Sequence, residues 1–464
     1  MADPVTTSPA PVRSPDQAAA RAAPAPEPAR RPRVVIVGGG FAGLHAVRRL
    51  HRAPVDITLL DRTNHHLFQP LLYQVATAML APSDVAVPIR WLMRRYPNVR
   101  TVLGNVTGVD VERRCVLVDD LPTPLRYDYL ILATGARHSY FGHDDWERIA
   151  PGLKGLEDAL AIRRRFLLAF ERAELTTDPA ELEALMTFVV VGGGPTGVEL
   201  AGILPDTACN AFRRDFRNVD TRDTRVILLE GGPRLLPAFD ERLSARALED
   251  LRRLGVDARV NSIVTRVEPD AVYLGDQRIA TRNVFWAAGN IASPLGRMLG
   301  TPVDRAGRVL VEPDLSVPGH PEVFVAGDLA AAYWRGSKAP GKTVPGVAPA
   351  AMQMGRRVGE NVKRRVRGEP TEAFEYRNKG DLATIGRNHA IADFGFVRLS
   401  GFVAWVLWLF VHLMYLVGFR NRVSVFLQWA YAYFTFQRGV RLITETEEEL
   451  MCEPDRVPVA HSPG

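Results

Sequence analysis

Cysteine is scarce in this chain: Cys115, Cys209 and Cys452 are the only three in 464 residues, and no C-x-x-C occurs. A disulfide framework, a zinc ribbon and a redox-active dithiol are all excluded, and a reducing, cytosolic compartment becomes the default. Neither sign of charge dominates, because 58 Lys+Arg against 52 Asp+Glu leaves only +6. So mild an excess does not require nucleic acid as a partner and fits an anionic membrane surface equally well. The 47% hydrophobic and 24% charged fractions exclude disorder throughout and a polytopic membrane protein. Residues 1–32 hold nine Ala and eight Pro without an apolar run, so they read as a disordered lead lacking the core of a signal peptide.

What is present begins at Arg33. Val34 to Val37 reads as a buried parallel strand, Phe41 to Arg52 as a helix, and Val55 to Leu60 as the next strand. The same unit recurs as Phe188 to Val191, Pro195 to about Asn210, and Arg225 to Leu229, 154 positions later when counted from Gly38 to Gly192. Further apolar runs end in small residues: Tyr127 to Leu132 into Ala133-Thr134-Gly135, Val284 to Trp286 into Ala287-Ala288-Gly289, and Val323 to Val325 into Ala326-Gly327-Asp328.

Each unit carries G-x-G-x-x-G between strand and helix. In the first, Gly38 serves the tight turn, Gly40 the approach of a pyrophosphate and Gly43 the close packing of helix on strand. Asp61 follows Gly38 by 23 residues, at a strand end where an acid accepts from ribose hydroxyls. In the second, Gly192, Gly194 and Gly197 repeat the pattern around Pro195 and Thr196, and Glu230 closes the next strand 38 residues on. A long helix and loop, Val198 to Thr224, must fill that gap. Glu230 would repel a 2′-phosphate, so the second nucleotide is expected to be NADH. Two such sites in one chain imply two electron carriers face to face, most economically FAD in the first and NADH in the second. Asp328 can then reach the flavin ribitol.

Together these residues resemble the two-dinucleotide FAD/NAD-linked reductases, and most closely the type II NADH:quinone oxidoreductases. The stretches that carry the resemblance are Asp61 to Val75, Gly193 to Glu199, Val344 to Gln353, Lys379 to Gly386, and the aromatic C-terminal region. The resemblance implies an α/β fold with two Rossmann-like domains, for FAD and NADH, and a C-terminal membrane-associating helical region. The expected limits are 33–150 with 300–368 for FAD, 151–299 for NADH, 369–444 for the membrane region and 445–464 for a polar tail. Carried over by position, Glu199 matches an acid near the nicotinamide and flavin. Gln353 matches a glutamine near the flavin and quinone pocket, and Lys379 a lysine proposed there. Much of the family has another glutamine four positions before Gln353, where this chain has Pro349. Phe41, Ala42, Arg62, Gln69, Val106, Ala133, Thr134, Gly135, Gly289 and Gly327 complete the implied cofactor contacts. The implied reaction, NADH + H⁺ + quinone → NAD⁺ + quinol, has no proton-pumping apparatus.

A sulfide:quinone oxidoreductase is a rival reading that would need cysteines beside the flavin. A membrane-tethered flavin sensor of NADH is another, separated by its slow turnover. His65 and His66 read as a packing pair, and no metal site is expected, because no third ligand has suitable spacing.

From Phe394 to Thr444 there is no acidic side chain, and 14 of the chain's 38 aromatic residues fall there. Leu399 to Phe419, with His412 its one charged-capable polar interruption, is long enough to cross a bilayer. In the next segment Ser424, Gln428, Tyr431 and Thr435 share one helical face, with Phe426, Trp429, Tyr433 and Phe436 opposite. An aromatic-faced helix flanked by arginines belongs in the interface plane. The expectation is therefore a monotopic protein on the cytoplasmic face of the cell membrane, meeting a membrane quinone at the lipid boundary, with a homodimer as its assembly.

Overall fold

The computed structural model describes residues 30–443 except 120, 338–340 and 438; the lead before Arg30 and the Glu445–Glu449 tail lie outside the described residues. Short runs of Val, Ile and Leu form two sheets, each covered on both faces, as buried parallel strands require.

The first sheet has six strands in the spatial order Ser316–Val317, His320–Val325, Tyr129–Leu132, Arg33–Val37, Asp56–Asp61, Val99–Leu103. All neighbours pair in parallel except the first two. Two of its strands thus come from the far side of the second sheet in sequence. The second sheet orders Val256–Arg259, Arg225–Leu229, Thr187–Val191 and Asn283–Trp286, all parallel.

The first glycine helix runs Phe41–Leu50, one turn-residue pair shorter than expected, because His51 and Arg52 belong to the turn that delivers strand Asp56–Asp61. Helix Ala348–Val366 lies across it so closely that a Cβ on Gly355 would stand 2.1 Å from the Ala42 carbonyl oxygen. Pro349 occupies the first turn of that helix, where a missing N–H costs nothing. The second glycine helix spans Pro195–Asp206 and passes into a π-helical turn, Thr207–Ala211, rather than continuing to Asn210 as an α-helix.

After residue 380 the chain forms a three-stranded antiparallel sheet, Asp381–Gly386, His389–Asp393 and Arg398–Ser400. It packs on the second glycine helix, where a Cβ on Gly202 would meet the Ile385 carbonyl oxygen at 1.6 Å. Two helices follow, Phe402–Tyr415 and Phe419–Thr435. The apolar run from Leu399 is therefore not one helix. Its first residues finish a strand, and Gly401 and Gly418, at φ +73° and +94°, bracket a helix of 14 residues. At 1.5 Å per residue that is about 21 Å, short of the roughly 30 Å of a hydrocarbon core. Among the described residues no helix is long and apolar enough to cross a membrane.

The second terminal helix also sorts its faces differently from the simple two-sided reading. Ser424 and Gln428 turn inward and donate to the Asp84 carboxylate at 2.9 and 3.0 Å, and Asn421 Nδ2 donates to the Asp84 backbone carbonyl at 3.0 Å. Trp429 is likewise inward, its indole N–H donating to Gln74 Oε1 at 2.7 Å. The outward face is apolar: Phe419, Val423, Phe426, Leu427 and Phe434 are all exposed, Phe419 and Phe434 by 82% and 80%.

Candidate functional site

The two glycine turns are near copies. Gly38 and Gly192 take φ +107° and +110°, and their N–H groups donate to Leu60 O and Leu229 O, both at 2.7 Å. A Cβ on Gly43 would lie 1.8 Å from Gly38 O, and one on Gly197 the same distance from Gly192 O. Only glycine lets the helix press on the turn here. Above them Gly40 and Gly194 have nothing within 4 Å of a built Cβ, so each turn opens onto space at a helix N-terminus. That is where a pyrophosphate gains N–H donors and dipole.

The strand-end acids brace both turns. Asp61 accepts from Gly39 N at 2.5 Å, and Glu230 from Gly193 N and Gly232 N, both at 2.6 Å. The wider Gly192–Glu230 spacing therefore leaves the acid in the same place.

Around the first cradle the residues fit a flavin dinucleotide. Thr134 Oγ1 is buried without a hydrogen-bond partner, at the end of strand Tyr129–Leu132. Ala133 is buried, and its N–H donates to Val37 O at 2.8 Å; Gly135 turns at φ +68° with open space above it. Gly327 packs between Ala42 and Ala351, and Asp328 beside it faces Gly346. Gln69 Nε2 donates to the Lys154 carbonyl at 2.9 Å, joining the first domain to the start of helix Leu156–Leu175. Lys154 was not legible in the sequence. Burial lowers its pKa, and the nearby Asp328 opposes that shift.

Other expected contacts sit further out. Arg62 is exposed on the rim, and Val106 is buried at the start of the outlying strand Val106–Asp110. Gly289 lies at φ +71° against Phe141 and Ser139. The histidine pair is a packing feature: His66 Nδ1 donates to Gly39 O at 3.1 Å, its ring stands edge-on to Phe41, and burial pushes its pKa down to about 4. Of the cysteines, Cys115 is buried in the strand Cys115–Val118 and Cys209 belongs to the π-helical turn, while Cys452 lies outside the described residues.

Glu199, one turn into the second glycine helix, lines a cavity of about 370 Å³. Tyr73 and Gln74, the segment Thr384–Arg387 and both terminal helices complete its wall, and its rim carries the exposed Phe410, Phe426 and Phe434. Only these long-range contacts assemble it, so periodicity gave no signal for it. The other two residues carried over by resemblance are elsewhere. The Gln353 amide is tied at both ends to the Arg377 backbone, 3.0 Å each way, and Lys379 Nζ donates to Tyr415 OH at 2.9 Å. Neither lines the cavity.

Burial pushes the Glu199 carboxyl up to about 8, with the Thr384 backbone and the Trp408 indole pulling weakly the other way. Glu199 is thus protonated in the folded protein at neutral pH, whereas the unfolded chain titrates near 4.5. Between those values the folded state holds the extra proton, so this group's contribution falls as pH rises through the window and is flat above about 8. His66 and His412, both held near 4 by burial, act in the opposite sense but only below about 6.5. The Glu199→Gln variant should therefore lose less Tm than the unaltered protein between pH 6.5 and 8. Parallel Tm–pH curves over that interval would contradict the burial argument.

Comparison with known proteins agrees with this geometry. The pyridine nucleotide-disulphide oxidoreductase family profile matches residues 32–355, and the NDH2 C-terminal domain profile matches residues 378–438. The chain is 44% identical over 440 residues to the type II NADH:quinone oxidoreductase Ndh of Mycobacterium tuberculosis, covering 91% of this chain and 93% of that one. To NdhA of the same organism it is 45% identical over 430 residues, covering 89% and 90%. Among solved structures, NDH2 of Plasmodium falciparum in complex with NADH superposes with a TM-score of 0.80 at 21% identity, over 89% of this chain and 100% of that one.

Proposed function

The chain belongs to the type II NADH:quinone oxidoreductases, and from that premise we propose how its own residues divide the work of the reaction. Electrons pass from NADH to quinone. The first cradle, around Gly38, Gly40, Gly43 and Asp61, would hold FAD, which when bound would supply the chemistry of taking hydride from NADH and passing two electrons to quinone.

Gly38, Gly40 and Gly43 with Asp61 hold the flavin dinucleotide, and Thr134, Lys154 and Asp328 supply polar contacts along it. Gly192, Gly194 and Gly197 with Glu230 hold NADH. Both Glu230 oxygens are fixed by backbone N–H groups, so the carboxylate is a rigid acceptor for ribose hydroxyls and a rigid repulsion for a 2′-phosphate. The quinone head enters the cavity that ends at Glu199, whose protonated carboxyl can donate to a carbonyl oxygen. The observation that carries this reading is the cavity itself, which joins an exposed aromatic rim to a buried acid on the NADH-binding helix.

In the same reading Gln353 and Lys379 act at one remove. They pin the 377–379 strap to the helix Ala348–Val366 and to Tyr415, and so position the wall between flavin and quinone. The exposed apolar face of the terminal helices lies on the lipid surface, at the cytoplasmic leaflet, with the exposed Arg420 toward the anionic headgroups. A homodimer belongs to the same reading, and its test is the sedimentation mass in detergent.

Anaerobic mixing of the holoenzyme with NADH should bleach the flavin, and added quinone should restore it over many turnovers. A single slow reoxidation would favour the sensor. NADPH should bleach the flavin with a kcat/KM well below that for NADH; near-equal values would remove the argument from Glu230.

A further inference from the structure

Among the described residues, the cavity wall holds a buried indole N–H that closes no hydrogen bond of normal geometry. Trp408, on helix Phe402–Tyr415, is 1% exposed and lines the cavity beside Glu199, yet its indole Nε1 is buried without a hydrogen-bond partner. It faces the Glu199 carboxyl without closing a bond of normal geometry. Buried indole N–H groups ordinarily find an acceptor.

The ring is not free to turn away and find one. His412 stacks on it with centroids 4.0 Å apart, and His412 Nδ1 donates to the Trp408 carbonyl at 2.8 Å. Tyr73 meets it edge-on at 6.3 Å, and Trp429 closes the third side at 5.9 Å. The neighbouring polar groups are already engaged with one another, since Gln74 Nε2 donates to Tyr73 OH at 2.9 Å and Gln74 Oε1 accepts from Trp429. This buried donor is therefore held rigidly, next to the acid and inside a mostly apolar cavity.

We propose that the Trp408 indole N–H is a hydrogen-bond donor to a carbonyl oxygen of the quinone head group, and that it fixes the ring beside Glu199. A quinone carbonyl is an uncharged acceptor on a flat apolar ring, which matches a lone N–H flanked by aromatic faces. His412 is the positioning residue that sets the indole plane. The proposal rests on the assignment of the cavity to quinone. That assignment stands or falls separately, on whether the unaltered holoenzyme is reoxidised by quinone at all.

Trp408→Phe removes the N–H and keeps a ring in place. With menadione as the probe, its KM should rise about five- to tenfold, the loss of one neutral hydrogen bond. Its dissociation constant from the oxidised holoenzyme, measured by equilibrium dialysis, should rise in step. Anaerobic flavin reduction by NADH should keep its rate. An unchanged KM and dissociation constant would overturn the proposal, as would equal slowing of both half-reactions, which is what a merely structural role would give. A second measurement needs no variant. In ¹⁵N-tryptophan-labelled holoenzyme, one indole N–H signal at an unbonded position should move downfield on saturation with menadione, and seven unmoved signals would also overturn it.

Discussion

Gly43→Ala should give a protein purified without its yellow flavin, whereas Gly197→Ala should stay yellow and lose its response to NADH. The two glycines are geometric equals: an added Cβ on either would lie only 1.8 Å from the carbonyl oxygen of the first glycine in its own turn. Either alanine pushes the helix N-terminus off the strand by an ångström or more, which moves the N–H donors away from a pyrophosphate. The consequences differ because one cradle serves the resident cofactor and the other a substrate that comes and goes. For Gly197→Ala the rate of flavin reduction should fall about a hundredfold, the scale expected for a displacement of that size at a binding site. Absorbance of the purified variants and stopped-flow bleaching measure both outcomes. If Gly197→Ala lost the flavin and Gly43→Ala kept it, the assignment of cofactors to cradles would be reversed.

That pair of sites was legible in the sequence because its determinants are local. A strand, a turn that needs positive φ, and an acid at the next strand end lie within a few dozen residues. Asp61 and Glu230 then land on the N–H of the middle glycine of each turn, although their spacings differ by 15 residues. The extra length goes into the π-helical turn and loop that follow Asp206, away from the nucleotide.

The cavity was not legible, because no segment contains it. Tyr73, Glu199, Thr384, Trp408 and Trp429 come from five separate stretches, and each alone reads as core or surface. The polar stripe on the last helix was visible as periodicity, but its partner was not. Asp84 is 337 to 344 positions away from the groups that bond it. The span-length apolar run failed as a single helix for a local reason. Glycines at positive φ cut it at both ends, and strand pairing claims Leu399 against Ala392.

Val403, Phe419 and Leu427 replaced together by glutamate should free the enzyme from anionic vesicles while NADH still reduces its flavin. These three are 63%, 82% and 59% exposed, on both terminal helices, and none lines the cavity. An exposed side chain of this size gains about 1.5 kcal/mol or more on leaving water, so losing three of them weakens binding about a thousandfold or more. Glutamate adds repulsion from the headgroups, which the nearby exposed Arg420 would otherwise attract. Cosedimentation with vesicles of mixed neutral and anionic lipid measures the loss, and flavin bleaching on NADH addition shows that the rest of the enzyme is intact. Truncating the chain after Ile391 would be a poorer test, because Ala404, Trp408, Leu416 and Val425 belong to the main core and their removal would unmake the cavity as well. Full retention of the triple variant on vesicles would mean that lipid meets some other face, and that these helices cover a protein partner instead.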